Sequence, residues 1–486
     1  MSKSKTVFLS SLKMALATFC SRILGLVREQ FIAFTFGASG MTDAFYVAFR
    51  IPNMLRDLLA EGALSSAFVP NFVNAKNEDH KSARLLLWSL FVFLFLITML
   101  ISGFIIYFAE PIIMAVAPSF AEDPNKFAIT VSLTQYMAPF LIFVSIAALF
   151  MGALNSMGAF FIPALSPAFF NVSMISSMLI FPSILEDRGI PIIYTLAIGV
   201  LFGGFLQAFV QIPLIIKFKL APTGFKNGLH KETKKVIKLL GPGLVGFAAT
   251  QVNLIVNTIL ATGTIVGAVS FLSYAFRLFQ LPVGILSVSI GNSNLVHFSK
   301  AWKSGEKEDA NEYIKGSTHL SWFFILPATI VTLIFAREIV HIIFERGEFD
   351  EVSTLMTSKA LYWYALGLPF YGLYKIFVPA FYTIEKQMIP VYVSVSSILF
   401  NIIFCLSLVP IYGFQVLALG TTISIFLNSQ LLIFLFIKNT KFSVSSFYSG
   451  KIFKMLFSAV ACYVAALFVK PYFLFFKYNF ILPMSQ

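Results

Sequence analysis

Thirteen stretches, each with enough mainly apolar residues to cross a bilayer, follow one another along this chain, and that succession decides what it can fold into. In hydrocarbon a backbone must satisfy its own N–H and C=O groups, so runs of this length fold as helices. The stretches cover roughly residues 7–35, 41–74, 84–109, 127–156, 159–183, 190–217, 236–262, 266–299, 314–336, 354–382, 387–410, 413–437 and 451–474. Across 486 residues, 58% are hydrophobic and 12% charged, against roughly half and a quarter in soluble domains. Disorder and a small stapled scaffold are both excluded. The expected fold class is an all-α polytopic membrane protein with about 13 transmembrane helices. The second and eighth stretches exceed a straight span and hold Pro52 and Pro282, which predicts kinked or tilted helices there. The first stretch has no small-residue cleavage site and reads as a retained helix, not a signal peptide. Cys20, Cys405 and Cys462 lie far apart, so neither a disulfide framework nor a cysteine metal site is expected.

The loops give an independent reading of the topology. With the N-terminus on the cytoplasmic side, the cytoplasmic segments carry 21 Lys and Arg, seven of them between Lys217 and Lys238. The alternate loops carry four: Lys126, Arg188, Arg337 and Arg346. Adding Lys359, Lys470 and Lys477 to the outer side raises four to seven and leaves the orientation unchanged.

A repeat is also visible. Ala48-Phe49-Arg50 returns as Ala275-Phe276-Arg277, and the Ala153 to Pro163 spacing returns as Ala380 to Pro390, both displaced by 227 positions. Six helices per repeat preserve orientation, so two pseudo-symmetric six-helix lobes related as parallel repeats are expected. The boundaries are an N-lobe over 1–217, a basic cytoplasmic linker over 218–235, a C-lobe over 236–437, and an extension over 438–486 with at least one extra helix. Two such lobes suit an alternating-access carrier.

Ionisable residues inside spans are costly and usually face a polar interior. The first stretch holds Lys13, Arg22, Arg28 and Glu29; the second holds Asp43, Arg50, Arg56, Asp57 and Glu61; Arg277 lies in the eighth; Lys359 and Lys375 lie in the tenth. At about 100° per residue, Asp43, Arg50, Asp57 and Glu61 share one helix face, as do Arg22 and Glu29. One account is a set of salt bridges that fix helix packing, with residues near span ends reaching the headgroups. The other applies to Arg22, Arg28, Arg56 and Arg277. Guanidinium groups converging on a wet cavity need an anion, and their forks suit phosphate oxygens. The five histidines are scattered, and there is no H-E-x-x-H, Walker A sequence or nucleophile–base grouping. No enzyme activity, cofactor or metal is therefore expected. The basic 217–238 segment suits a surface beside anionic membrane lipids better than nucleic acid.

Ser21-Arg22-Ile23-Leu24-Gly25-Leu26-Val27-Arg28 resembles the S-R-x-L-G-x-x-R motif of the MurJ/MviN lipid II flippase family. The runs Thr42 to Asn53 and Leu55 to Pro70 are similar to that family as well, and the resemblance covers about residues 7–440. It implies the multidrug/oligosaccharidyl-lipid/polysaccharide exporter fold, the bacterial inner membrane, and export of the undecaprenyl-diphosphate-linked muropeptide lipid II. It also implies substrate-binding roles for Arg22, Arg28, Arg56, Arg277 and Ser21. Asp43 and Glu61 match family acidic positions; with Arg50, Asp57 and Glu29 they are candidate structural or gating charges. Cell-wall synthesis enzymes are candidate partners.

Three departures stand out. Phe276 occupies the usual acidic position before Arg277, the Leu295–Ser299 run differs from the family pattern, and thirteen segments are found where the family generally has fourteen. The alternatives are an exporter of another polyprenyl-diphosphate oligosaccharide, a drug/cation antiporter, or a non-transporting scaffold for cell-wall enzymes. The seventh, eleventh and twelfth segments contain no Asp or Glu, offering Asn253, Asn257, Thr258, Asn401 and Asn428 instead. Transport should therefore persist in sodium-free vesicles under an imposed potential, worth about 2.3 kcal/mol per charge per 100 mV. Strict sodium dependence, lost on substituting Asn253 or Asn401, would overturn that expectation.

Overall fold

A computed structural model describes residues 3–57, 64–222, 232–284, 288–443, 447 and 450–476, and all regular structure among them is helical. The first half of the chain forms α1 (Lys3–Phe36), α2 (Gly40–Arg56), α3 (Leu64–Glu78), α4 (His80–Tyr107), α5 (Ala109–Val116), α6 (Pro124–Met137), α7 (Phe140–Ser156), α8 (Phe161–Ile180), α9 (Pro182–Glu186), α10 (Tyr194–Phe209) and α11 (Ile212–Lys217). The second half forms α12 (Thr233–Thr262), α13 (Ala268–Pro282), α14 (Val288–Lys303), α15 (Lys307–Ile334), α16 (Ala336–Phe344), α17 (Glu351–Ala365), α18 (Leu368–Thr383), α19 (Met388–Tyr412), α20 (Gln415–Thr440) and α21 (Gly450–Phe476).

Each of the thirteen apolar stretches falls on one helix or on a pair broken within the stretch. Among the described residues, eight helical runs are, by length and composition, apolar and long enough to cross a membrane on their own. α1, α2–α3, α12, α13–α14 and α17–α18 fall outside that set. Among these are the helices that carry the intramembrane charges, as expected for elements that do not face lipid alone. α2 runs through Pro52 and widens into a π-type turn at Asp57; α13 runs to Pro282 and widens likewise at Val283 and Gly284. The two prolines thus precede the same irregularity in both repeats. α21 reaches Phe476, and the residues after it lie outside those described.

The chain divides into two compact units: Met1–Ser270 with Arg346–Phe349, and Phe271–Glu345 with Asp350–Gln486. In the first, α1 packs along α8, α8 along α10, α10 along α7, and α2 along α6; α12 joins this unit by packing on α3 and α5. In the second, α15 packs on α14, α18 and α21, and α20 on α18 and α19. The two hydrophobic cores repeat in register. Ala83, Leu87, Ile146, Phe150 and Ala153 are buried in one, and their counterparts 227 positions on, Ala310, Ile314, Leu373, Phe377 and Ala380, are buried in the other.

Two loop contacts in the first unit also correspond under the repeat. Ser119 Oγ donates to Thr262 O at 2.7 Å, fixing the turn Pro118–Glu122 to the end of α12. Glu348 N donates to Phe34 O at 2.9 Å, fixing the 346–349 loop to the end of α1. The second contact depends on two glycines with φ of +62° and +60°. A Cβ on Gly37 would lie 2.3 Å from Glu348 O, and one on Gly347 would lie 2.3 Å from Phe34 O. Gly347→Ala should cost about 1–3 kcal/mol through overpacking and left-handed strain. Thermal unfolding in detergent reads this, and a wild-type midpoint would contradict the close approach.

Candidate functional site

The charged part of α1 and α2 begins at a tight turn. Ser39 caps α2 by accepting from Thr42 N at 3.3 Å, and Thr42 Oγ1 donates back to Phe36 O and Gly37 O, both at 3.1 Å. From this turn the arms are drawn apart, because α1 is held by α8 and α2 by α6 and α7. The Tyr46 hydroxyl spans the gap, donating to Glu29 Oε2 at 2.6 Å. The other Glu29 oxygen pairs with Arg28 Nη2. Arg28 Nη1 donates to Asn171 Oδ1 at 3.0 Å, and Asn171 Nδ2 donates to Ser21 O at 3.1 Å. The Arg28 guanidinium lies 5.5 Å from the Phe170 ring, which closes an aromatic cluster with Phe49 and Phe140.

Arg28 is 9% exposed, and its Nε is buried without a hydrogen-bond partner. Of the predicted binding arginines it is the buried one. Arg22 shares the Glu29 face two turns closer to the N-terminus and is exposed. If Glu29 and Tyr46 mark one level of the two arms, Arg22 lies level with Asn53, about one turn from Arg56. Arg56 is partly accessible and is oriented by Asp57, whose Oδ1 accepts from its Nε at 3.1 Å and Nη2 at 2.7 Å. Ser21 is half-buried and enters through its carbonyl. Two accessible arginines therefore stand on the two arms of a cleft, with a third buried at its head.

Two of the four residues of the predicted stripe on α2, Asp43 and Arg50, meet the helices that follow in the second half of the chain. Arg50 Nη1 donates to Thr258 Oγ1 at 2.8 Å on α12, and Asp43 faces the start of α13. Thr258, once a candidate cation ligand, is thereby occupied by a guanidinium. Asp43 is 2% exposed. Its Oδ2 accepts from Gly267 N at 2.7 Å, and its Oδ1 accepts from Ser270 N at 2.9 Å and Ser270 Oγ at 2.7 Å. This is an N-cap supplied by another helix, placing a carboxylate where α13 leaves its first N–H groups unsatisfied. Glu61 lies outside the described residues. Arg277 is half-buried on α13 in the second unit. Phe276, in place of the expected acidic residue, packs 5.5 Å from the Tyr364 ring.

The family model described as lipid II flippase MurJ matches residues 32–484. The chain belongs to the lipid II flippase MurJ family. It is 34% identical over 426 residues to the probable lipid II flippase MurJ of Buchnera aphidicola subsp. Schizaphis graminum, covering 87% of this chain and 82% of the relative. It is 34% identical over 420 residues to the lipid II flippase MurJ of Burkholderia cenocepacia, covering 85% and 81%. A solved lipid II flippase MurJ in an inward closed conformation superposes with a TM-score of 0.76 at 27% identity, covering 95% of this chain and 99% of that one. An inward-facing multidrug resistance MATE transporter, 12% identical with a TM-score of 0.66 over 86% and 93% of the two chains, shares the fold alone. As a MurJ family member, the chain is a transporter and a multi-pass bacterial inner-membrane protein.

Tyr46, Asn171, Ser270 and Lys126 join these contacts and were not singled out as site residues by sequence. Lys126 was assigned to an outer loop. It sits instead in the first turn of α6, 9% exposed, with Nζ 3.9 Å from Asp43 Oδ2. Glu29→Ala would leave the Arg28 charge buried and uncompensated, at a cost of about 3–5 kcal/mol. Removing both charges as Arg28→Met/Glu29→Met should cost less than the sum of the single changes. Thermal unfolding in detergent measures both, and wild-type stability for Glu29→Ala would refute the pairing.

Proposed function

We propose that this chain is a flippase that carries lipid II, the undecaprenyl-diphosphate-linked muropeptide, across the bacterial inner membrane by alternating access. Its N-terminus lies on the cytoplasmic side, as the loop charges favour. The observation that carries the reading is the α1–α2 cleft, with accessible Arg22 and Arg56 on its arms and Arg28 at its head. Their forks match the paired oxygens of a diphosphate. Arg28 Nε is a further donor waiting for an acceptor, and Arg277, the repeat counterpart of Arg50, is the remaining candidate arginine. Glu29 and Asn171 orient Arg28, and Asp57 orients Arg56, so these groups shape the site without neutralising Arg22. A carrier of cationic drugs would need the opposite sign here.

The lobes of the carrier are residues 1–217 and 236–437, joined by the basic linker over 218–235, and the extension over 438–486 supports the lipid tail. Asp43 closes the outer end by capping α13, and Arg50 steadies the same face against α12. Glu61 adds a gating charge further along the same stripe. The enzymes that make lipid II and those that polymerise it are the expected partners on the two sides, with membrane lipids around the bundle.

The test is a lipid II translocation assay in proteoliposomes. Each of Arg22→Ala, Arg56→Ala and Arg277→Ala removes a charge-assisted contact worth about 1.5–3 kcal/mol, or roughly one to two powers of ten in affinity. Transport should fall accordingly while membrane insertion stays intact. Wild-type translocation by two of the three variants would sink the diphosphate reading.

A further inference from the structure

Asp43 has partners on two sides. Three donors come from the start of α13: Gly267 N, Ser270 N and Ser270 Oγ. The fourth partner, Lys126, comes from α6, which packs along α2 itself. If the outer end opens during transport, the α13 donors leave and Lys126 stays.

Lys126 is built into place without help from α13. Asp123 caps α6, its Oδ1 accepting from Asn125 N and Lys126 N at 3.1 Å each, and its charge acts on Lys126 from the same turn. The Lys126 stem passes Gly40, where a Cβ would lie 3.8 Å from its Cδ and Cε. Its ammonium lies 3.7 Å from the centroid of the Phe120 ring. At 3.9 Å from Asp43 Oδ2 it pairs through charge without displacing the Gly267 hydrogen bond. A movement of about 1 Å would bring it into hydrogen-bond range once that donor departs.

We propose that Lys126 is the positioning residue of the Asp43 latch, the counter-ion that keeps the carboxylate matched when the latch releases α13. Without it the closed state keeps three donors, while the open state leaves the carboxylate with neither those donors nor a counter-ion. Loss of Lys126 therefore penalises opening more than closure and holds the outer end shut. The inference rests on the alternating-access reading and not on the identity of the cargo.

The experiment uses the full-length protein in proteoliposomes, with Cys20, Cys405 and Cys462 replaced by Ala. A reporter pair, Gly40→Cys with Val266→Cys, reads closure as disulfide yield, since a Gly40 Cβ would lie 3.6 Å from Val266 Cγ1. Lys126→Met should raise the yield toward completion and lower lipid II translocation about tenfold or more. Lys126→Arg should restore both to within about threefold of wild type. Asp43→Asn combined with Lys126→Met leaves no bare charge and should bring the yield back below that of Lys126→Met alone. Gel filtration and thermal unfolding establish that each variant is folded. Wild-type yield and transport in Lys126→Met would overturn the proposal. So would an Arg variant as defective as Met, or a double variant as firmly closed as the single. If the yields follow the expected order but even the wild type moves no lipid II, the latch stands and the flippase reading fails.

Discussion

An ionised group held out of water must be matched nearly atom for atom, and the Asp43 carboxylate is where the first compact unit meets that demand most completely. Three hydrogen bonds and one cation surround two oxygens. Breaking a buried charge away from its partners costs about 3–5 kcal/mol, whereas an ordinary helix cap is worth about 0.5–2 kcal/mol. Asp43 does both jobs at once, so the start of α2 and the start of α13 are tied together more firmly than the contact area alone would suggest. The loop contacts at Phe34–Glu348 and Ser119–Thr262 reinforce the same end of the first unit, one between backbone groups that two glycines allow to approach and the other through the Ser119 hydroxyl. The carboxylate is the part that depends on a particular side chain.

The cleft between α1 and α2 follows from the same rule applied with one group left unmatched. α8 draws one arm away and α6 the other, and Tyr46 to Glu29 is the strut that spans them. Arg28 is buried, so its charge needs partners within the protein, and Glu29, Asn171 and the Phe170 face converge on it. Arg22 and Arg56 sit where the arms have opened and retain access to solvent. The difference among the three arginines of α1 and α2 therefore follows distance from the turn. Near the turn Arg28 is buried and must be paired to be tolerated; further along Arg22 is exposed, and Arg56, paired with Asp57, keeps partial access to solvent.

The all-helical, multi-pass architecture was legible because run length is a one-dimensional quantity. The repeat was legible because its offset recurs, and it reappears in register in the two buried cores. Helix arithmetic also placed Asp43 and Arg50 on one face, and that face does meet α12 and the start of α13. Partners were not legible. Asn171 is 143 residues from Arg28, and nothing in a Phe- and Ser-rich helix marks that Asn as the residue facing it. Lys126 was misread because a basic residue beside a span end looks like a loop residue when only the alternation of loops is counted. Ser270 was within reach: it is the residue 227 positions after Asp43, the repeat offset already in hand.

That coincidence has a physical reason. When equivalent positions of two parallel repeats come into contact, whatever one repeat carries at that position must face its own counterpart. A faithful copy would set Asp against Asp, two like charges in a low-dielectric setting that repel. A pair of serines would remove the charge and leave only a weak mutual hydrogen bond. Only a divergence that leaves an acceptor on one copy and a donor on the other gives a strong contact, and Asp43 with Ser270 is that divergence. Lys126 then breaks the equivalence further, because a buried ionised carboxylate retains its need for a counter-charge after hydrogen bonding. The repeat can be copied faithfully through the cores, where Ala83 and Ala310 or Phe150 and Phe377 face only their own neighbours. It has to be broken where the copies touch.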